Sequence, residues 1–252
     1  MSHSSSPSEN QPPSFLPEGA RAQQVRSSGK EGERTTTKRK QRLAILLSGR
    51  GSNMVALVDS VQMGALSELA EVAVVFSNHP DAPGLATAAA LGCQTASLGS
   101  VGYKRADYDA AVVQVLREYE PDYLVLAGYM RILSPVLVRA YAGRILNIHP
   151  ADTHLHQGLH AYEWAFENKL PETKITVHLV DEGLDTGPVL AQRPVDLRGA
   201  NTLSEVERRG LLVEHELYAD TLVRLFRGQI SPSTPASCPA TPPDNRQLTT
   251  EN

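Results

Sequence analysis

The chain has 252 residues, with 24 Lys and Arg set against 28 Asp and Glu for a formal net charge of −4 at pH 7. That interspersed balance excludes the basic face of a nucleic-acid binder, and no apolar run is long enough to span a membrane. Two cysteines, Cys93 and Cys238, make neither a disulfide framework nor a zinc ligand spacing, and no hydrophobic leader opens the sequence, so a soluble cytoplasmic protein is expected.

Residues 1–41 are rich in Ser, Pro, Gln and charge, and residues 231–252 are rich in Ser, Thr and Pro. Both are expected to be disordered, because they offer too little apolar surface to offset chain entropy. The basic run Lys38, Arg39, Lys40 and Arg42 at the border reads as solvated linker. One folded domain is expected over residues 42–230, long enough for a sizeable core.

Within that domain, LAILLS (Leu43–Ser48) is a short apolar run suited to a buried parallel strand. GRGSN follows, and Met54, Leu57, Val58 and Val61 then recur at helical spacing. VAVVFS (Val72–Ser77) predicts a second strand, Pro83–Leu91 an Ala-rich helix, Gln94–Ser97 a short strand and Tyr103–Glu120 a long amphipathic helix. YLVLAGY (Tyr123–Tyr129) predicts a strand, Ser134–Gly143 a short helix, and ILNIH (Ile145–His149) another strand. This alternation predicts an α/β fold: an open, mainly parallel, Rossmann-like sheet with helices on both faces. Beyond a helix at His160–Lys169, KITVHLV (Lys174–Val180) and PVLAQRPVDL (Pro188–Leu197) lie too close for another βαβ unit, so an antiparallel C-terminal pair is expected. A long helix, Leu203–Arg227, closes the domain before Gly228, a candidate C-cap residue.

Open α/β sheets bind ligands beyond the carboxyl ends of their strands. Three polar stretches fall there: GRGSN, GYMR (Gly128–Arg131) and NIHP (Asn147–Pro150). Gly49, Gly51, Ser52 and Asn53 could cradle a phosphate on a helix N-terminus, although Met54 breaks the dinucleotide fingerprint and no Walker lysine follows. The alternative is a tight turn capped by Ser52 or Asn53. In ILNIH, Asn147 and His149 stand two residues apart and project to one face. An amide and an imidazole on one face at a strand end either satisfy each other or do chemistry. Asp185, in the loop GLDTGP, is a candidate carboxylate to orient His149 and raise its pKa; its plainer role is an Asx-turn. Met130, Arg131, Ile132 and Leu133 suit a pocket for a flat, partly anionic ligand or ordinary packing. His149, His154, His156 and His160, with Asp152, fall within a short stretch, but lack a carboxylate–histidine motif, so incidental histidines on a surface loop are the plainer reading.

Taken in order, ILLSGRGSN, VVFSN, LAGYMRILS, GRILNIHP, VHLVDEGLDTGPVLAQ and VEHELY resemble the phosphoribosylglycinamide formyltransferase family over about residues 43–228. The resemblance implies transfer of a formyl group from 10-formyltetrahydrofolate, as co-substrate, to the amine of glycinamide ribonucleotide, in purine biosynthesis. It implies Asn147, His149 and Asp185 as catalytic residues. Gly51, Ser52 and Asn53 match the family's turn for the substrate phosphate, and Glu214, with Leu211, Leu212 and Val213 beside it, matches an acid that contacts the glycinamide part. Arg105, Met130, Arg131, Ile132, Leu133 and Asn147 match folate-contacting positions, and Asp181, Glu182, Gly183, Leu184 and Asp185 match the loop over the pterin. No metal, nucleic acid or membrane is expected as a partner, and the assembly expected is a monomer or homodimer. One departure stands out: where the family has Ser-Leu-Leu-Pro and an aromatic before glycine, this chain has ADTHLHQG (Ala151–Gly158).

Two other functions compete. A formyltetrahydrofolate deformylase would replace the amine with water, but that family carries a folded N-terminal regulatory domain. A noncatalytic metal-binding α/β module would use the His149–His160 loop.

Overall fold

The computed structural model describes residues 39–231; the expected disordered segments, 1–38 and 232–252 of them, lie outside the described residues. Thirteen elements follow in order: β1 (Gln41–Leu47), α1 (Ser52–Met63), β2 (Ala70–Ser77), α2 (Pro83–Ala90), β3 (Thr95–Ser97), α3 (Arg105–Arg117), β4 (Tyr123–Leu126), α4 (Pro135–Ala140), β5 (Ile145–His149), α5 (Ala161–Glu167), β6 (Glu172–Leu179), β7 (Val189–Asp196) and α6 (Leu203–Phe226). The seven strands form one sheet in the order β3-β2-β1-β4-β5-β6-β7. Pairing is parallel from β3 through β5 and antiparallel from β5 to β6 and from β6 to β7.

Strand β1 shows why the sheet is covered on both faces. Leu43, Ile45 and Leu47 pack with α1 and α6, whereas Ala44 and Leu46 pack with α3 and α4. All five are fully buried, and each large aliphatic side chain so buried contributes roughly 1.5–3 kcal/mol. The alternation of strand side chains thus serves two cores at once.

Differences from the expected elements are local. Strand β4 stops at Leu126 rather than Tyr129, because the chain turns through Gly128 at φ +78°. Arg42 belongs to β1 rather than to a linker: its guanidinium pairs with Glu71 and donates to the carbonyls of Tyr119 and Glu120. Helix α6 opens on Thr202, whose side chain accepts from the Glu205 N–H at 3.2 Å, an N-cap. It ends ahead of Gly228, whose φ of +70° suits a C′ residue.

The sheet reverses its winding between β1 and β4, so a crevice opens beyond their carboxyl ends. GRGSN, GYMR and NIHP all emerge there. Tyr218 of α6 braces this edge: its buried hydroxyl shares one proton between the carbonyls of Leu126 and Leu146, 3.1 and 3.0 Å away. Tyr218→Phe is expected to lower stability by about 1–2 kcal/mol, the cost of leaving buried acceptors short of a donor. Urea titration should show a lower midpoint at unchanged slope.

Candidate active site

The turn after β1 is held from two sides. The Gly49 carbonyl accepts from the Gly84 N–H at 3.0 Å, and the Ser48 N–H donates to the Gly128 carbonyl at 2.9 Å. Gly51 takes φ +79° as N-cap of α1, a conformation that L side chains rarely adopt. No side chain caps the helix, so the capping roles considered for Ser52 and Asn53 are not taken. Ser52 is exposed. Asn53 turns inward and donates from Nδ2 to Glu214 of α6. The Ser48 hydroxyl donates to Asn78 Oδ1 and accepts from the Met130 N–H at 2.8 Å. That hydroxyl joins the GRGSN turn to the GYMR stretch.

A cleft of about 330 Å³ opens beside β4 and β5, within the range of small-molecule sites. Met130, Arg131, Ile132 and Leu133 line one wall, and Asp181, Gly183, Leu184 and Asp185 line another, with Asn147, His149 and His178 at the base. Met130, Ile132 and Leu184 expose apolar surface at its mouth. The Arg131 guanidinium lies 4.2 Å over the Tyr108 ring, and its Nε is buried without a hydrogen-bond partner. An apolar slot with such a donor suits a flat ligand that carries acceptors.

At the base, β5 delivers Asn147 and His149 to one face, as the strand period requires. Both meet Asp185, whose backbone is held at φ +52°, a left-handed conformation that Asp tolerates better than most residues. Asp185 Oδ2 accepts from the Gly158 N–H at 2.8 Å and lies 3.6 Å from His149 Nδ1. Its Oδ1 lies 3.4 Å from Asn147 Nδ2 and 3.5 Å from His178 Nε2. Burial pushes the Asp185 carboxyl up, but His178, the Gly158 N–H and His149 outweigh it, and the net shift is downward. Asp185 is therefore ionised at neutral pH.

The His149 imidazole behaves otherwise than expected. Burial lowers its pKa, and although Asp185 and the His156 carbonyl push upward, the net shift is below the usual 6.5. Asp185 acts in the expected direction but desolvation of a ring that is 4% exposed wins. The ring's Nε2 meets the His156 carbonyl at 3.0 Å, so that nitrogen is the donor.

His178 was not singled out in the sequence. The β5–β6 register places it opposite Asn147, and cross-strand partners share a face. Its Nδ1 donates to the Leu179 carbonyl at 2.8 Å, which leaves Nε2 to accept from Asn147 Nδ2 at 3.2 Å. The available signal was an imidazole inside the run ITVHLV, which is apolar but for Thr176. Tyr162 of α5 was also missed; its hydroxyl donates to Glu214.

Other expected residues lie apart. Arg105 opens α3 with an exposed side chain and does not line the cleft. Glu182 pairs with Arg139 on the surface at 2.7 Å. Asp181, by contrast, lines the cleft and also shapes its own loop, accepting from the Gly183 N–H and the Thr186 hydroxyl. Leu211, Leu212 and Val213 lie on α6 with Glu214, outside this cleft. The histidines of the divergent loop do not converge. His156 stacks on Trp164 at 4.8 Å, His160 pairs with Glu163, and His154 is exposed. Among the described residues no three His, Cys, Asp or Glu side chains gather as metal ligands. Asp152 instead anchors the loop to Lys174 at 2.8 Å.

Residues 41–222 match the formyl transferase family. The chain is 38% identical over 177 residues to phosphoribosylglycinamide formyltransferase of Escherichia coli (strain K12), covering 70% of this chain and 82% of that one. It is 36% identical over 194 residues to the human trifunctional purine biosynthetic protein adenosine-3, covering 77% of this chain but 19% of that protein. The chain therefore spans about a fifth of the trifunctional relatives. The crystal structure of phosphoribosylglycinamide formyltransferase from Bacillus halodurans superposes with a TM-score of 0.70 at 39% identity, covering 73% of this chain and 95% of that one.

The balance at His149 can be measured. In a proton NMR titration of the free protein, its imidazole is expected to titrate below pH 6.5. Asp185→Asn should move it lower still, because burial then acts against less opposition. A wild-type midpoint above 6.5 would mean that the carboxylate outweighs desolvation.

Proposed function

Because this chain belongs to the formyl transferase family, we propose that it transfers the formyl group of 10-formyltetrahydrofolate to the amine of glycinamide ribonucleotide. The observation that carries this reading is the convergence of Asn147 and His149 on the ionised Asp185 at the base of a largely apolar cleft. The GRGSN turn, a helix N-terminus suited to phosphate, opens beside it.

In this reading 10-formyltetrahydrofolate supplies the electrophilic formyl carbon, and the amine of the ribonucleotide attacks it. Neutral His149 takes the proton that the amine must lose on forming its C–N bond. The resulting imidazolium is held by Asp185 and stands beside the negative charge developing on the formyl oxygen. His149 then passes the same proton to the departing folate nitrogen, so the proton balance closes. A ring that is neutral before substrate arrives is the right starting form for this sequence. Asn147 supplies a hydrogen bond to the formyl oxygen. Its longer contact, to Asp185, is the one that yields.

Two adjustments separate the free site from a working one. The neutral His149 ring must change tautomer, so that an Nδ1–H forms and closes on Asp185 from 3.6 Å, and the His156 carbonyl must release Nε2 so that this nitrogen, then unprotonated, faces the amine. Loose geometry in a free site is ordinary, since such contacts tighten once substrate is bound.

The test is a direct assay with both substrates, a mass check of the formylated product, and a control without ribonucleotide. Product that requires both supports the transferase; folate turnover in the control would indicate the deformylase instead. His149→Ala and Asp185→Asn are each expected to lower kcat about a hundredfold or more, with ribonucleotide binding largely retained. Near-wild-type kcat in either variant would overturn the assigned roles.

A further inference from the structure

Glu214 is 5% exposed, in the middle of α6, and both of its carboxylate oxygens are claimed by side chains from other elements. Asn53, at the start of α1, donates to Oε2. Tyr162, on α5, donates its hydroxyl to Oε1. The neighbouring Asn53 Oδ1 is buried without a hydrogen-bond partner. A buried carboxylate beside an orphaned carbonyl oxygen makes a patch of acceptors, and such a patch is costly unless a ligand's donors complete it.

Tyr162 reaches this patch only because position 210 is glycine. Gly210 lies one helical turn before Glu214, on the same side of α6. A Cβ there would stand 2.1 Å from the Tyr162 hydroxyl oxygen and 2.2 and 2.4 Å from its ring carbons. The phenol therefore crosses α6 in the notch that Gly210 leaves and meets Glu214 on the next turn. A glycine inside a helix costs about 1 kcal/mol against alanine, and here the notch is what the Tyr162–Glu214 bond requires. Burial, and then the adjacent Glu214 charge, push the Tyr162 hydroxyl far above its ordinary range, so it remains a donor throughout physiological pH.

We propose that Tyr162, seated in the Gly210 notch, is a positioning residue that fixes the Glu214 carboxylate against Asn53 and so sets recognition of the ribonucleotide. This rests on the reading of Glu214 as a contact to glycinamide ribonucleotide. The Tyr162 hydroxyl and Asn53 Nδ2 hold the two oxygens from opposite elements. The remaining lone pairs, with Asn53 Oδ1, then face donors of the ribonucleotide without a search over side-chain rotamers. The device acts on the amine-bearing substrate and leaves the folate cleft untouched, because neither Tyr162 nor Glu214 lines that cleft.

The test uses the full chain with Tyr162→Phe, Gly210→Ala, Glu214→Gln and the double variant Tyr162→Phe/Glu214→Gln, each checked for folding by circular dichroism and thermal melting. Tyr162→Phe keeps the ring and removes only the hydroxyl. It should raise KM for glycinamide ribonucleotide about tenfold, the effect of losing one hydrogen bond to a charged group. Both kcat and KM for 10-formyltetrahydrofolate should stay within about twofold. Gly210→Ala should act in the same direction by displacing the ring, and it tests the device independently if Tyr162→Phe folds poorly. In the Glu214→Gln background Tyr162→Phe should add little, since the two share one interaction. An unchanged ribonucleotide KM in Tyr162→Phe, with Glu214→Gln impaired, would overturn the proposal alone. Fully additive effects would also overturn it, by making Tyr162 merely structural. An unimpaired Glu214→Gln would remove the assignment of Glu214 itself, and the proposal with it.

Discussion

The carboxylate of Asp185 holds the site together. It gathers side chains from two adjacent strands and a backbone N–H from a loop: Asn147 and His149 from β5, His178 from β6, and Gly158 from the divergent loop. Each of the three side chains is held by something else as well. His178 is tied to the Leu179 carbonyl, His149 to the His156 carbonyl, and Asn147 to His178. Without the carboxylate, the Asn147 amide and the Gly158 N–H would lose an acceptor, and the His149 ring would lose the anion beside it. Low local dielectric makes a network of this kind strong when complete and costly when broken.

The same burial that strengthens the network depresses the His149 pKa. A charged imidazole loses more hydration in this niche than one carboxylate, 3.6 Å away and itself shared, returns. Within the proposed transfer that outcome is useful. A neutral ring can receive a proton from the attacking amine, and Asp185 stabilises the cation at the stage when the charge exists. Catalysis of this kind depends on interactions that grow as the reaction proceeds, not on ones already complete in the free site.

Ser48 and Glu214 extend the polar arrangement beyond the cleft. The Ser48 hydroxyl links the end of β1 to the Met130 N–H. Glu214 links α6 to the first turn of α1 and to α5. The turn after β1, the cleft wall and α5 are thus connected by three polar contacts, in addition to the apolar core that α1, α5 and α6 share. The loop Ala151–Gly158 is held in place by Asp152 on Lys174 and by His156 stacked on Trp164.

By itself the sequence determined the alternation of elements, the mixed sheet and the strand ends where function gathers, because these follow from local periodicity, chain length and short connections. It also placed Asn147 and His149 on one face, since that needs only the period of a strand, and the resemblance of NIHP and LDTGP to one family marked Asp185. Three matters waited for the tertiary structure. His178 joined the site through the register of β5 on β6, which pairs residues 31 positions apart in the chain. Tyr162 met Glu214 through the packing of α5 into the Gly210 notch, a contact spanning 52 positions. The neutral state of His149 followed from the depth of its burial, a sum over everything packed around it. Registers, notches and desolvation are properties of surfaces brought together, and no local stretch of sequence contains them.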